Sequence, residues 1–303
     1  MEEKFFESVF QTVDEFEAST IRELEEEYED VQEELLFWLA MFSVDDKLDW
    51  LEMRRNLTAP QLRRLKRYLG DEVEDRVRVR RIDAINLILE TRLEEINQMY
   101  SDKMEEFSID LYKEVYYNEL YELQQENGTF WVVPAVVISE ILNKLLKPWT
   151  ADGINFVERI EIRSSQLLDQ IRREITQSIL MGENPDNIVD TVRKRFKVSL
   201  SAAKNIINTE STRVVSEATR DAMRESEIKY YQLRAVLDAR TSDICLGMNG
   251  KIFPLSEFEI GITASPFHSH CRTIEVPYSK PNKQGYTDKI KTYGEWFEKY
   301  IQK

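Results

Sequence analysis

The sequence predicts a mainly α-helical protein, in which a long N-terminal helical arm precedes a helical domain that ends in a small α+β module. Apolar residues recur at three- and four-residue spacing through most of the chain. Only 9 Gly and 8 Pro occur among 303 residues. Short β-prone runs separated by turn residues begin only near residue 230. Hydrophobic residues make up 42% and charged residues 32%, which is typical of a folded, helix-rich protein.

The N-terminal half is predicted to be helical almost throughout. Residues 2–44 have the apolar spacing of one long helix or of two consecutive helices, and residues 82–126 continue the pattern until Asn127-Gly128 interrupts it. Residues 129–137 are apolar and β-branched but contain Pro134, so a short strand, a buried connection and the start of a helix all fit there.

The C-terminal half is predicted to hold more compact elements. Three helices are expected at residues 154–180, 188–196 and 199–226, followed by strands at residues 230–237 and 251–253. A terminal helix within residues 286–302 would dock on its own chain or on a neighbouring subunit. The predicted domains are residues 1–148, 149–278 and a tail at 279–303.

Charge is distributed very unevenly along the chain. The net charge is −15, and residues 1–50 carry 17 acidic and 3 basic side chains, so they account for −14 of it. Residues 54–81 have a local excess of +6. The acidic helix face is interpreted as solvated or as facing a partner, and the basic segment as paired within or between subunits or as a nucleic-acid contact. An overall acidic chain does not fit a protein that coats DNA generally.

The sequence indicates neither membrane insertion nor secretion. No apolar run reaches 18 residues, and the first ten residues are acidic where a signal peptide would be basic. The protein is therefore expected to stay in the cytosol where it is made. Two cysteines are too few for a disulfide framework and fit a reducing compartment.

Both cysteines and both histidines of the chain fall between residues 245 and 271. Zinc is commonly held by four Cys or His side chains, and the spacing of His268 and Cys271 allows both to bind one ion. Cys245 would be the third ligand, and His270 or else Asp238 or water the fourth. Metal-free packing of the two thiols and a disulfide between them are the alternatives.

Catalysis by a cysteine thiolate beside a histidine is chemically conceivable. The sequence contains no glycine-rich phosphate loop, no paired-acid motif and no cysteine-protease signature. We therefore expect a protein that is not an enzyme.

The same stretch resembles the C-terminal signature of the phage Mu F-like head morphogenesis family, written loosely as D-x-R-T-x-x-x-C, then N/D-G-K-x-F, then P-x-H-x-x-C-R. The matching residues are Asp238, Arg240, Thr241, Cys245, Gly250, Lys251, Phe253, Pro266, His268, Cys271 and Arg272. Upstream, Glu210 and Arg213 fall in a T-E-x-x-R segment of the same family. The likeness covers roughly residues 149–278.

The resemblance implies a helical fold with a small β-containing end and the role of a minor capsid protein. Such proteins enter the procapsid interior in few copies, associate with the portal protein at the packaging vertex, and support head assembly and genome packaging or ejection. The resemblance thus implies portal, major capsid or scaffolding protein and packaged DNA as partners. It also implies a location inside the virion, after assembly in the host cytoplasm.

The signature residues are interpreted mainly as a structural network. Asp238 and Arg240 could fix the hairpin by a charge-assisted pair, and Gly250 supplies the positive φ that an Asn-Gly turn needs. Glu210 and Arg213 lie on one helical face and could clamp the hairpin against the helix.

Two alternatives concern ligands rather than structure. Lys251 and Arg272 could instead serve a ligand or a DNA backbone. The rival function is a metal-stabilised nucleic-acid-binding module that uses residues 54–81 and the Cys/His loop.

Overall fold

The structure is a computed structural model. The structure describes residues 2–70, 78–128, 130–239, 241–278 and 292–302. Arg240 of the matched signature and residues 71–77 of the basic segment lie outside the described residues.

The mainly α-helical fold is confirmed. The helices in the described residues are α1 (Glu2–Phe42), α2 (Trp50–Met53), α3 (Ala59–Leu69), α4 (Arg81–Asn127), α5 (Ile138–Leu145), α6 (Phe156–Met181), α7 (Pro185–Glu225), α8 (Asp243–Met248) and α9 (Tyr293–Tyr300). The first of them is one continuous helix, which resolves the choice left open for residues 2–44. None of the helices in the described part of the chain is long and apolar enough to cross a membrane.

The prediction of two helices at 188–196 and 199–226 is wrong, because α7 continues unbroken for 41 residues. No Gly or Pro follows Pro185 within this helix, so nothing in its backbone chemistry forces a break. Val198, near the predicted turn, is 64% exposed on the helix surface. The stretch at residues 197–198, where a turn was predicted, is an exposed part of one long helix.

A three-stranded antiparallel sheet lies near the C-terminus, in the order β3-β2-β4. Its strands are β2 (Tyr230–Ala235), β3 (Ile252–Pro254) and β4 (Thr273–Pro277). Register is fixed by the pairs Tyr231↔Phe253 and Leu233↔Glu275. The strands β2 and β3 were predicted, whereas β4 was not.

A second, two-stranded sheet pairs β1 (Val133–Pro134) in parallel with β5 (Ile301–Gln302). The segment left open at residues 129–137 therefore contains a short strand. The helical pattern predicted up to residue 302 ends earlier, since α9 stops at Tyr300 and Ile301 pairs with Val133. The main-chain pairing with β1 replaces the last helical turn.

The chain forms two compact units that are each discontinuous in sequence. Unit 1 consists of Met1–Ala18, Lys103–Phe156 and Lys204–Lys303, and unit 2 of Ser19–Asp102 and Val157–Ala203. The sequence-based boundaries at residues 148 and 278 stay a prediction.

Two apolar clusters lie among the described residues of unit 1. One joins α1, α4, α5 and α7 to strand β4 through Val9, Val115, Leu145 and Val215. The other packs Trp296 of α9 and Tyr231 of β2 among residues of α4 and α7. These two clusters hold the small sheet and the loops around it against the helices.

Unit 2 buries the apolar stripes of its helices. The buried side chains include Val31, Trp38, Ile85, Ile171 and Ile175. The rings of Tyr28 and Phe196 stack with centroids 4.2 Å apart. The spacing that predicted the helices also sets which of their faces are buried.

The charged segments are only partly paired inside unit 2. Arg92 on α4 bonds Glu27 of α1 at 2.8 Å, and the Arg64 guanidinium lies over the Phe37 ring. The remaining acidic face of α1 is exposed at Glu25, Glu26, Glu29, Asp30 and Glu33. Both interpretations of these charges, solvation and contact with a partner, therefore stay predictions.

Candidate metal centre

Cys245, His268 and Cys271 come together at one end of the antiparallel sheet. Cys245 lies on α8, whose first turn is capped by the Ser242 hydroxyl, which accepts a hydrogen bond from the Cys245 amide at 3.2 Å. His268 and Cys271 belong to the loop that leads into β4. Both thiols are buried, with Cys245 4% and Cys271 1% exposed.

The ligand atoms of these residues all lie within 4.8 Å of one another and could hold a metal ion. The two sulfur atoms are 3.6 Å apart, and Cys245 Sγ is 3.0 Å from His268 Nε2. With Zn–S bonds of about 2.3 Å, two cysteine ligands of a tetrahedral zinc ion are separated by about 3.8 Å. The sulfur spacing therefore fits a shared ion.

A backbone contact orients the ring of His268. Its Nδ1 lies 2.7 Å from the carbonyl oxygen of Ser269. Since a carbonyl oxygen only accepts hydrogen bonds, Nδ1 carries the proton, and the lone pair of a neutral ring is on Nε2. Nε2 is the atom that faces Cys245, so the tautomer required of a metal ligand is already set.

The two thiols ionise differently. Burial raises the pKa of Cys245, but hydrogen bonds with neighbouring side chains, that of Ser242 foremost, outweigh it and leave the pKa below its ordinary value. Burial raises the pKa of Cys271 to about 11. A bound cation would favour the thiolate of both residues.

His270 is not part of this cluster. It is exposed, lies in the turn just before Cys271, and has a φ of 57°. The adjacent residue Cys271 points into the core, as its burial shows. Of the four predicted metal ligands, the structure brings together three.

Two further residues support the cluster and were missed in the sequence. The Thr212 hydroxyl of α7 donates to the carbonyl of Cys271 at 2.7 Å in a buried contact. Ser242 Oγ lies 2.7 Å from His268 Nε2. Ser242 lies three residues before Cys245, and a serine at that spacing predicts a helix cap from the sequence alone. The contact of Thr212 with Cys271 joins residues far apart in sequence, so no local pattern predicts it.

Because Arg240 lies outside the described residues, its pairing with Asp238 stays a prediction. Asp238 forms an ion pair with Arg272, at 2.7 Å between Oδ1 and Nη2, which the sequence analysis did not predict. This pair joins the chain just after β2 to the residue just before β4. The pair has a simple geometric reason, because these strands are hydrogen-bonded neighbours and their adjoining ends meet.

Thr241 and Gly250 hold the connection between β2 and β3. The Thr241 hydroxyl donates to the carbonyl of Val236 at 2.6 Å and accepts from the amide of Asp238 at 2.8 Å. Gly250 has the predicted positive φ, at 81°. It follows helix α8, however, so the predicted simple hairpin is a longer connection. Lys251 is exposed, and its ammonium contacts only the sulfur of Met248 among the described residues.

Glu210 and Arg213 form a buried ion pair on α7, with 2.7 Å between Oε2 and Nε. Arg213 also donates to the carbonyl of Leu145 at 2.6 Å, and the Trp149 indole donates to Glu210 at 3.0 Å. The expectation that this pair clamps the hairpin is therefore wrong. It fixes the connection between α5 and α6 instead, because the side chains point toward that side of α7.

Comparisons with known proteins find similarity in the part of the chain that holds this cluster. Residues 169–275, which include the whole cluster, match the family model described as phage Mu protein F like protein. The chain is 26% identical over 198 residues to the minor head protein GP7 of Bacillus phage SPP1. The alignment covers 62% of this chain and 62% of that relative, so the chain spans somewhat less than two thirds of the relative's length.

No solved structure matches the chain significantly. The assignment therefore rests on the sequence match, whose region contains the metal-competent cluster and the buried Glu210–Arg213 pair. Residues 169–275 are thus similar to the phage Mu F-like protein family, and the chain is distantly similar to a phage minor head protein.

Proposed function

We propose that this protein is a minor component of a phage head, carried inside the procapsid at the portal vertex. There it would support head assembly and genome packaging or ejection. The observation that carries the proposal is the Mu F-like region, together with a relative whose name is minor head protein. The partners would be the portal protein, with the major capsid or scaffolding protein in addition. The protein would assemble in the host cytoplasm and then reside in the virion.

A structural role suits the signature residues better than an enzymatic one. Asp238 and Arg272 are paired to each other, and Glu210 and Arg213 are buried among backbone and indole groups. These side chains are occupied in holding segments of unit 1 together. We therefore propose that the protein is not an enzyme.

The experiment that tests this role is assembly of procapsids in cells that express the portal, scaffolding and major capsid proteins of the same phage. We expect the protein to co-sediment with procapsids, and to be lost from procapsids assembled without portal protein. A Glu298→Ala variant, changed at an exposed position, is the control and should co-sediment like the wild type. Failure to join portal-containing procapsids would overturn the proposal.

We further propose that the cluster of Cys245, His268 and Cys271 binds zinc. The sulfur spacing and the tautomer of His268 support it. Bound zinc would join α8 to the loop before β4 and so stabilise the end of the sheet.

Elemental analysis of the purified protein tests the zinc proposal. We expect one zinc per chain, lost in Cys245→Ser and Cys271→Ser and retained in His270→Ala. Metal-free protein that is nevertheless folded and joins procapsids would show that the thiols are packed without metal.

A second candidate function is contact with packaged DNA. Its support is a group of exposed arginines on and beside α3 that form no ion pair with the described residues: Arg54, Arg63, Arg67 and Arg78. Phosphate contacts by such side chains are electrostatic and therefore weaken as salt increases.

DNA binding measured at several salt concentrations distinguishes this candidate. An Arg63→Glu and Arg67→Glu double variant should lose most of the affinity, and the salt dependence should flatten. The control carries the same change in charge at exposed positions elsewhere, Arg22→Glu with Lys229→Glu. Absence of binding at low salt would eliminate DNA contact by this surface.

A further inference from the structure

The metal-competent cluster supplies one ligand fewer than a tetrahedral ion takes. Among the described residues, only Cys245, His268 and Cys271 place ligand atoms of His, Cys, Asp or Glu within the same 4.8 Å. Structural zinc sites are closed by four protein ligands, whereas sites with three protein ligands keep one position for an exchangeable molecule. The identity of the fourth ligand therefore decides what the centre can do.

The neighbouring side chains do not complete the site. His270 is exposed and lies outside the cluster, in a backbone turn that directs the adjacent Cys271 inward. Ser242 Oγ is close to His268 Nε2, but it is engaged in capping α8. A neutral hydroxyl is also a weaker zinc ligand than a thiolate, an imidazole or a carboxylate.

A cavity of about 660 Å³ adjoins the cluster. Ser242, His268 and Cys271 form part of its wall, and residues of α1, including Asp14 and Glu17, form another part. Glu17 is engaged by Asn208 and Lys204, while Asp14 is exposed. The cavity gives a small molecule access to two of the three ligand residues, His268 and Cys271.

The charges indicate which class of molecule would bind. Two thiolates neutralise a divalent cation, so a centre with two cysteines and one histidine has no net charge to attract an anion. On the cavity wall Glu17 is paired with Lys204 and Arg272 with Asp238, which leaves the exposed carboxylate of Asp14 to oppose an anion further. A neutral nitrogen or oxygen donor meets neither obstacle.

We propose that the metal centre is open: its fourth coordination position faces this cavity and holds an exchangeable, neutral, monodentate donor. Water occupies it in the free protein, and imidazole replaces water. This inference rests on the proposed metal binding, and it makes the centre a ligand-binding site in addition to a link between α8 and β4.

Cobalt(II) in place of zinc tests the proposal, because its visible absorption bands depend on the number and type of ligands. We expect the full-length protein to bind one cobalt ion. Titration with imidazole should shift the visible bands in a saturable manner while the cobalt content stays constant. Azide at the same concentrations should produce a much smaller change. His270→Ala and Asp14→Asn should have the wild-type spectrum and the wild-type response.

The other outcomes separate the two proposals. No cobalt binding would refute the metal site itself. If cobalt binds but imidazole does not shift its visible bands, the site is closed. The proposal of an open fourth position would then be wrong, while the proposal of metal binding would stand. The same conclusion follows if His270→Ala or Asp14→Asn alters the spectrum before imidazole is added, since the fourth ligand would then be a protein side chain. Loss of cobalt during the titration would mean displacement of the metal, which also contradicts the proposal.

Discussion

At the scale of single residues, buried polar groups of unit 1 connect particular segments of the chain. Arg213 is 2% exposed and satisfies both a carboxylate and a backbone carbonyl. Removing one partner of a buried pair leaves the other charge without compensation, which costs far more than loss of an exposed pair. The sequence showed that Glu210 and Arg213 share a helix face, but not what they contact.

Replacing Arg213 by Ala should lower the free energy of unfolding by about 3–5 kcal/mol. The exposed pair of Arg80 and Asp83 provides the control, because Arg80→Ala should cost far less stability than Arg213→Ala. Urea denaturation of both variants measures the difference. Equal losses would contradict a special role for the buried pair.

Glu275 is a carboxyl group inside the core. It is 1% exposed on β4, and one oxygen accepts a hydrogen bond from the Ser265 amide at 2.7 Å. Burial raises its pKa to about 7. The pKa of Glu275 is therefore higher in the folded protein than in the unfolded chain. Its contribution to the free energy of unfolding is fully present below about pH 4.5 and is lost as the pH rises through about 7.

Glu275→Gln removes this titration while keeping an acceptor oxygen. The variant should therefore gain stability relative to the wild type as the pH increases, by up to about 3 kcal/mol between pH 5 and pH 8. Denaturation curves of both proteins at the two pH values provide the test. A constant difference across that range would mean that Glu275 does not titrate in it.

At the scale of elements, long continuous helices are the main feature. Helix α7 extends from Pro185 to Glu225 and carries Glu210, Thr212 and Arg213. Its continuity was not predicted, because the polar stretch near Val198 resembles a turn when only apolar spacing is considered. Without Gly or Pro, the hydrogen bonds of the helix continue through such a stretch.

A proline at position 198 tests that continuity. Val198→Pro should destabilise the protein by about 3 kcal/mol or more and reduce helical circular dichroism, since proline removes a hydrogen bond inside a helix. Val198→Ala at this exposed site should be nearly neutral. Full tolerance of proline would indicate a natural break between two helices.

At the scale of the whole molecule, the two ends of the sequence both contribute to unit 1. Helix α9 docks on its own chain, one of the two options left by the sequence. Trp296 is fully buried there, and its indole donates to Gln124 of α4 at 2.8 Å. The terminal segment is therefore part of the core of this unit.

Loss of the Trp296 side chain should be correspondingly costly. Trp296→Ala is expected to lower the free energy of unfolding by about 3–5 kcal/mol. Glu298→Ala, on the exposed side of the same helix, should change it by less than about 0.5 kcal/mol. Thermal or urea unfolding measures both, and a small effect at Trp296 would mean that the tail does not dock stably.

The sequence by itself determined the helical class, the uneven charge and the gathering of both cysteines and both histidines in one loop-rich stretch. These properties follow from local spacing and composition, which are visible without a fold. Only the tertiary structure decided that Asp238 pairs with Arg272, that Glu210 meets Trp149, and that three of the four predicted ligands converge beside a cavity. Such contacts join residues distant in sequence, and the packing of helices and strands alone brings them together.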